Sequence, residues 1–133
     1  MSYYVVDVEA DGRIPPDFSM VCFAAVRVDD ELNTTFYSKV KTISGKYVPD
    51  ALAISGFSRE EQLAFTEDPK EVMLKFKEWL TQTNTEGRPI FWSDNPAFDF
   101  QWINYYFHHF LGENPFGHSA RRVKKVYQLY YSK

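Results

Sequence analysis

Two acids stand two residues apart near the start of the chain, Asp7 and Glu9 in YYVVDVEADG, and a third, Asp99, follows in SDNPAFDFQW. Side chains alternate faces along a strand, so Asp7 and Glu9 point to one side about 7 Å apart and can bend toward a common point. Carboxylates at the end of an apolar strand lose hydration, and like charge raises the pKa of one of them, so something positive is expected beside them. Asp99 is predicted to open a helix directly after a strand, where open α/β sheets gather their ligands. If the strand in RPIFWS lies beside YYVVDVE, all three acids converge on one cavity. Hard oxygen ligands without His or Cys support suit magnesium or manganese.

The elements that must carry these acids follow from periodicity and turn chemistry. YYVVDVEA, MVCFAAVRV and TTFYSKVKTI read as three strands, the last two joined by DDELN, which predicts an antiparallel meander. Asp11-Gly12 turns the first strand, and the Pro pair makes GRIPPDFS irregular. Ser58 and Glu61 form a capping-box pattern, and Asp68-Pro69 with Glu71 opens a second helix by the same logic. Val72, Met73, Phe76, Trp79 and Leu80 make the core stripe of that second helix. RPIFWSDN gives a short strand. FDFQWINYYFHHFL then carries Phe98, Trp102, Ile103, Tyr106, Phe107, Phe110 and Leu111 at amphipathic spacing until GENPFG stops it. Meander first and strand-to-helix step later predict an α/β domain with a mixed sheet and helices on its faces.

A length of 133 residues fits a single domain spanning 1–133. With twelve Phe, nine Tyr and three Trp, much of the buried area must come from rings. The net charge of -3 excludes a chain held to nucleic acid by bulk positive charge, so any such contact must be local. One cysteine, Cys22, rules out an intrachain disulfide and argues against cysteine-ligated zinc. MSYYVV has neither a basic leader nor an apolar run of membrane length, which predicts a cytoplasmic chain with no membrane partner.

The residues also carry a resemblance. Asp7-Val8-Glu9 resembles the first motif of the DEDD superfamily of 3′-to-5′ exonucleases, and Asn95-Pro96-Ala97-Phe98-Asp99 resembles the second, N-x-x-F-D. DVEADG, ALAISGFSREE, SDNPAFDFQWINYYF and NPFGHSAR are together similar to a bacterial exoribonuclease-like branch of the His type, from near the N-terminus to about Arg122. The resemblance implies a ribonuclease-H-like fold, two magnesium or manganese ions, and hydrolysis of terminal phosphodiesters at the 3′ ends of single-stranded RNA or DNA, RNA by the narrower branch. Asp7 would bridge the ions, Glu9 would hold the one that generates the nucleophile, and Asp99 would act directly or through ordered water. Ala10, Asn95 and Phe98 are the substrate-facing positions of the two motifs, with Arg121 and Arg122 as basic contacts.

The chain departs from that pattern at the third motif, His-x-x-x-x-Asp. Five residues after His118 stands Val123, and the only acid beyond Asp99 is Glu113. The expectation is therefore a chain that stops before its general base, fourth ligand and C-terminal helices, or one that takes them from a second chain. A missing base alone forfeits about 10²- to 10⁴-fold in rate. In motif one, Ala10 and Asp11 follow Glu9 where the wider superfamily has Thr, and the narrower branch shares this form.

Plainer roles stay open for most of these residues. Asp7 and Glu9 could be a solvent-exposed strand end, and Asp99 an acid favoured by the helix macrodipole. Asn95 reads as a helix cap before a substrate contact. Arg121, Arg122, Lys124 and Lys125 could bind phosphates or form the solvated face of a terminal helix. His118 reads as a hydrogen-bonding residue, and the adjacent His108 and His109 face apart on a helix. Beside the exonuclease stand two other functions: a catalytically incomplete nucleic-acid-binding or assembly module, and an endonuclease of the ribonuclease H kind. An uncovered sheet face would also allow a homodimer.

Overall fold

The computed structural model describes residues 2–123. Strand β1 (Tyr3–Ala10) alternates as its sequence requires. Tyr4, Val6, Val8 and Ala10 are buried, while Tyr3, Val5, Asp7 and Glu9 share the opposite face. It pairs antiparallel with β2 (Met20–Arg27), which pairs antiparallel with β3 (Thr35–Lys39), giving the expected meander. β3 is shorter than TTFYSKVKTI suggested. Val40 N–H still donates to the Val21 carbonyl at 2.9 Å, after which the backbone turns away and Lys41 N–H donates to the Glu67 carbonyl at 2.9 Å.

Three helices precede the next strand. α1 (Pro49–Ile54) has no side-chain cap at Val48, and Pro49 with Asp50 in its first turn were the start signals left to the sequence. α2 (Arg59–Leu63) has the full capping box between Ser58 and Glu61. α3 (Pro69–Thr83) opens with the Asp68 carboxylate accepting from Glu71 N–H at 3.1 Å. β4 (Ile90–Ser93) lies parallel to β1, and α4 (Pro96–Leu111) follows it, ending at Gly112 with φ of 78°. The basic stretch expected on a terminal helix is partly a strand: Arg121 and Arg122 belong to β5 (Ala120–Arg122), parallel to β4. Lys124 and Lys125 lie outside the described residues.

The mixed sheet has the order β3-β2-β1-β4-β5. α3 and α4 cover one face through Val72, Met73, Phe76 and Leu80, with Trp102, Ile103, Tyr106 and Phe107. Phe76 is the centre of the ring cluster, 4.9 Å from Phe23, 5.0 Å from Phe36 and 5.6 Å from Phe107 between centroids. Such pairs each add about 0.5–1.5 kcal/mol beyond burial. Tyr106 is buried with its hydroxyl accepting from Met20 N–H at 2.9 Å, so the ring adds area without an orphaned polar atom. α1 and α2 gather around Val21, Cys22, Leu52 and Phe65.

The ladder between β1 and β2 slips at one place. Glu9 pairs with Cys22 but Ala10 with Met20, so Val21 is an extra residue opposite the Glu9-Ala10 step. A bulge bends its strand and re-aims neighbouring side chains. Here it falls at the end of β1 that carries the second acid.

Candidate active site

β1 outruns its parallel neighbour. The β4 register ends at Val5 opposite Trp92, so Val8 has no strand partner on that side. Its N–H is instead taken by Asp99 Oδ1 at 2.9 Å, from the first turn of α4. Val8 lies between Asp7 and Glu9, and Asp99, only 5% exposed, is thereby fixed beside the pair. The geometry brings all three sequence-predicted acids together. One oxygen of Asp99 is engaged, leaving Oδ2 for another partner.

All three carboxyls are raised from their ordinary values. Partial loss of hydration raises Asp7 although its side chain still reaches solvent, and the Asp94 charge adds to it. Burial again comes first for Glu9, followed by repulsion from Asp7 and Asp99. Asp99 is raised by burial and by Asp7, against the lowering effect of the Val8 hydrogen bond. The buried Ser93 hydroxyl lies against Asp99 without meeting hydrogen-bond geometry, and rotation can bring it onto the carboxylate. Among the described residues Asp7, Glu9 and Asp99 form no ion pair, an unfavourable arrangement that a divalent ion would relieve.

The donor set fits such an ion. All donors are hard oxygens, the chemistry magnesium and manganese select. Asp7, Glu9 and Asp99 are the residues that would hold it. Among the described residues no three His, Cys, Asp or Glu side chains already stand at metal-holding distance. Binding therefore requires side chains to turn inward, and Asp7 is exposed enough to do so.

Beside Glu9 opens a groove of about 430 Å³, within the size range of small-ligand sites. It is lined by Glu9, Ala10, Gly12 and Arg13 at the end of β1 and the loop after it, by Val48, Ala51 and Ile54 at α1, and by Phe98 of α4. Gly12 is required there by close approach, since a Cβ would lie 2.0 Å from the Phe18 ring. Gln101 Nε2 donates to the Arg13 carbonyl at 3.0 Å and ties this loop to α4. Ala10 and Phe98, expected from the motifs to face substrate, both line the groove.

Other expected residues fall elsewhere. Asn95 occupies the N-cap position of α4, yet its side chain makes no capping hydrogen bond. Its carbonyl accepts from Phe98 N–H at 3.0 Å and Asp99 N–H at 2.9 Å. Arg121 and Arg122 lie on the edge strand beyond β4, with Arg122 Nε donating to the Asp94 carbonyl at 3.2 Å. His118 is exposed and makes no side-chain hydrogen bond among the described residues. Sequence reasoning missed Arg13 as the cation of the groove. Its signal was the irregular GRIPPDFS stretch directly after the acids, where loops carry binding residues.

No protein-family model matches the chain. Over 123 residues, 92% of this chain and 65% of the relative, it is 39% identical to the 3'-5' DNA exonuclease Cap18 of Escherichia coli. The chain thus spans just under two thirds of that relative. Among solved structures it is similar to E. coli Exonuclease I in complex with a dT13 oligonucleotide, at a TM-score of 0.72 and 20% identity over 98% of this chain and 29% of that one. The zinc-bound form of an E. coli ExoI-ssDNA complex gives a TM-score of 0.74 at 20% identity, covering 98% and 30%. Exonuclease I from Methylocaldum szegediense gives 0.72 at 22%, covering 96% and 29%. At these identities the likeness concerns the fold, and it is the ribonuclease-H-like exonuclease fold.

Proposed function

We propose that the chain is a member of the DEDD superfamily of 3′-to-5′ exonucleases, a single exonuclease-like domain supplying the first three acids of a metal-dependent nuclease; its 39% identity to a 3'-5' DNA exonuclease and its exonuclease fold support this reading. The observation that supports this reading is the bond from Val8 N–H to Asp99, which holds the third acid beside the strand that carries the first two. When bound, divalent ions would supply Lewis acidity and an acidified water at these carboxylates. Magnesium or manganese is the expected choice.

The chain's own residues do the rest. Asp99 is oriented by Val8, and Glu9 faces both the acids and the groove. Phe98, Val48 and Ile54 offer an apolar wall to a terminal base, and base-to-ring contact of this kind tolerates any sequence. Arg13 is the cation we assign to a substrate phosphate, ahead of Arg121 and Arg122, because it lines the groove. Asn95 would act on substrate only through the turn it opens.

Single-stranded nucleic acid is the proposed substrate. The resemblance in the motifs points to RNA, while the relative and the neighbours are named for DNA or bound to it, so DNA is the first to try. The test follows release of mononucleotides from 3′ ends of labelled single-stranded DNA and RNA by the full gene product with magnesium or manganese. Asp7→Ala is the control. Metal-dependent release lost in the variant supports the enzyme. Binding of strands without release supports an incomplete nucleic-acid-binding or assembly module, and cuts within a hybrid duplex support an endonuclease.

A homodimer is the reading favoured by the sheet face that carries Val5, Ala24 and Val26 only half-buried, with Tyr37 59% exposed. Light scattering across concentration tests it. Among the described residues no helix is long and apolar enough to cross a membrane, and a cytoplasmic location is part of the proposal.

A further inference from the structure

Asp11 follows the acid pair but belongs to a different network. Its carboxylate is fully buried and holds three donors: Ser19 N–H at 2.7 Å, Gln62 Nε2 at 2.9 Å and an Arg59 guanidinium nitrogen at 3.4 Å. Its own carbonyl accepts from Val48 N–H at 2.7 Å. Gln62 and Ser19 are also fully buried, and Ser19 Oγ accepts from Ile43 N–H at 2.9 Å. Arg59 adds bonds to Gln62 Oε1 at 2.8 Å and the Gly45 carbonyl at 3.2 Å, and its guanidinium lies 4.3 Å from the centre of the Tyr47 ring.

This arrangement joins two of the segments that line the groove. Gly12 and Arg13 follow Asp11 directly, while Val48, which Asp11 binds, leads into the α1 wall of Ala51 and Ile54. α1 has six residues and no side-chain cap, so its place must be set from outside. A buried charge is a costly way merely to hold a fold together, since packed apolar residues of similar volume often do as well. What a hydrogen-bonded charge adds is fixed geometry.

We propose that Asp11 is a positioning residue: its carbonyl holds Val48 N–H and its carboxylate anchors Arg59, which grips Gly45 and Tyr47 just before α1, so that α1 is fixed against the Glu9 end of β1 and the grip of the groove on a terminal nucleotide is set. The proposal rests on the nucleotide reading of that groove. Asp11 does not touch substrate or metal. It determines the distance between the apolar wall and the strand end that carries the acids.

The experiment measures binding of Mn²⁺ and of thymidine 5′-monophosphate to the 133-residue chain by calorimetry. The parent is compared with Arg59→Met, Arg59→Lys and Asp11→Asn. Arg59→Met keeps the apolar stem but leaves the buried Asp11 carboxylate without its cation, so the fold of each variant is checked by circular dichroism, and Arg59→Lys, which keeps the charge and loses the fork of bonds, carries the comparison where Arg59→Met does not fold. The expected result is nucleotide affinity about tenfold weaker in Arg59→Met, with Mn²⁺ affinity within about twofold of the parent and partial recovery in Arg59→Lys. Unchanged nucleotide affinity in Arg59→Met overturns the proposal, as does equal weakening of nucleotide and Mn²⁺. A parent that takes up no Mn²⁺ contradicts the metal reading of the acids, and the same comparison without metal then decides for or against Asp11. A parent that binds no nucleotide under either condition overturns both.

Discussion

Asp99 and Val8 are 91 positions apart in the chain and 2.9 Å apart in the fold, carboxylate oxygen to amide nitrogen. The bond exists because β4 stops short of β1 and leaves one strand amide without a partner. A shortfall in sheet pairing thus becomes the device that delivers the third acid.

Asp99→Ala leaves Val8 N–H buried and unpaired. The expected cost is about 1–3 kcal/mol in urea unfolding, whereas Asp99→Asn, which keeps an acceptor, should cost less than about 1 kcal/mol. Equal losses in the two variants would mean that the bond contributes nothing.

Stability should depend on pH with a sign set by the raised carboxyls. Asp7, Glu9 and Asp99 bind protons more readily folded than unfolded. The folded state therefore gains relative stability as pH falls through the raised values, and bears the full charge penalty above them. Asp7→Asn should melt higher than the parent at neutral pH without metal, by less than about 1 kcal/mol because Asp7 is solvent-exposed. That advantage should vanish as pH falls toward the ordinary carboxylate range. Parallel melting curves from about pH 7 to about pH 4 would refute the coupling.

Phe76 tests the ring core. Truncation to Ala removes the contacts to Phe23, Phe36 and Phe107 together, at an expected cost of about 3–5 kcal/mol by denaturant unfolding. A cost below about 1 kcal/mol would show that the surrounding rings close over the space.

Much of the fold was legible because its signals are local. β1 alternates, α2 and α3 carry caps, and the stripes of α3 and α4 recur at helical spacing, all within a few residues of sequence. What escaped depends on distant partners. α1 has no cap and is held by Leu52 against Val21 and Cys22, and β5 is three residues that exist as strand only because β4 lies beside them. The bulge at Val21 is a property of two strands, invisible in either alone. Asn95 read as a capping side chain, yet Pro96 and the backbone carbonyl of Asn95 open the helix without it.

Asp7 and Glu9 were legible as a pair, since strand period puts them on a common face, whereas the approach of Asp99 depends on β4 lying beside β1. Arg13 was not, because a lone arginine in an irregular loop has no pattern until the groove is seen. Its replacement by Ala should weaken binding of single-stranded DNA and reduce the salt dependence by roughly one phosphate contact, about 0.7 in slope. Arg122→Ala should change the slope less, since its Nε is engaged by the Asp94 carbonyl. The reverse order would move the phosphate contact to β5.

The most direct measurement is the melting temperature of the chain with and without saturating Mn²⁺, in the parent and in Asp7→Asn. An ion bound only by the folded state stabilises by about 2.7 kcal/mol at one hundred times its dissociation constant. The parent should show a clear upward shift, and the variant should lose most of it. A shift of the same size in both, or none in the parent, would contradict the assignment of Asp7, Glu9 and Asp99 to a shared metal site.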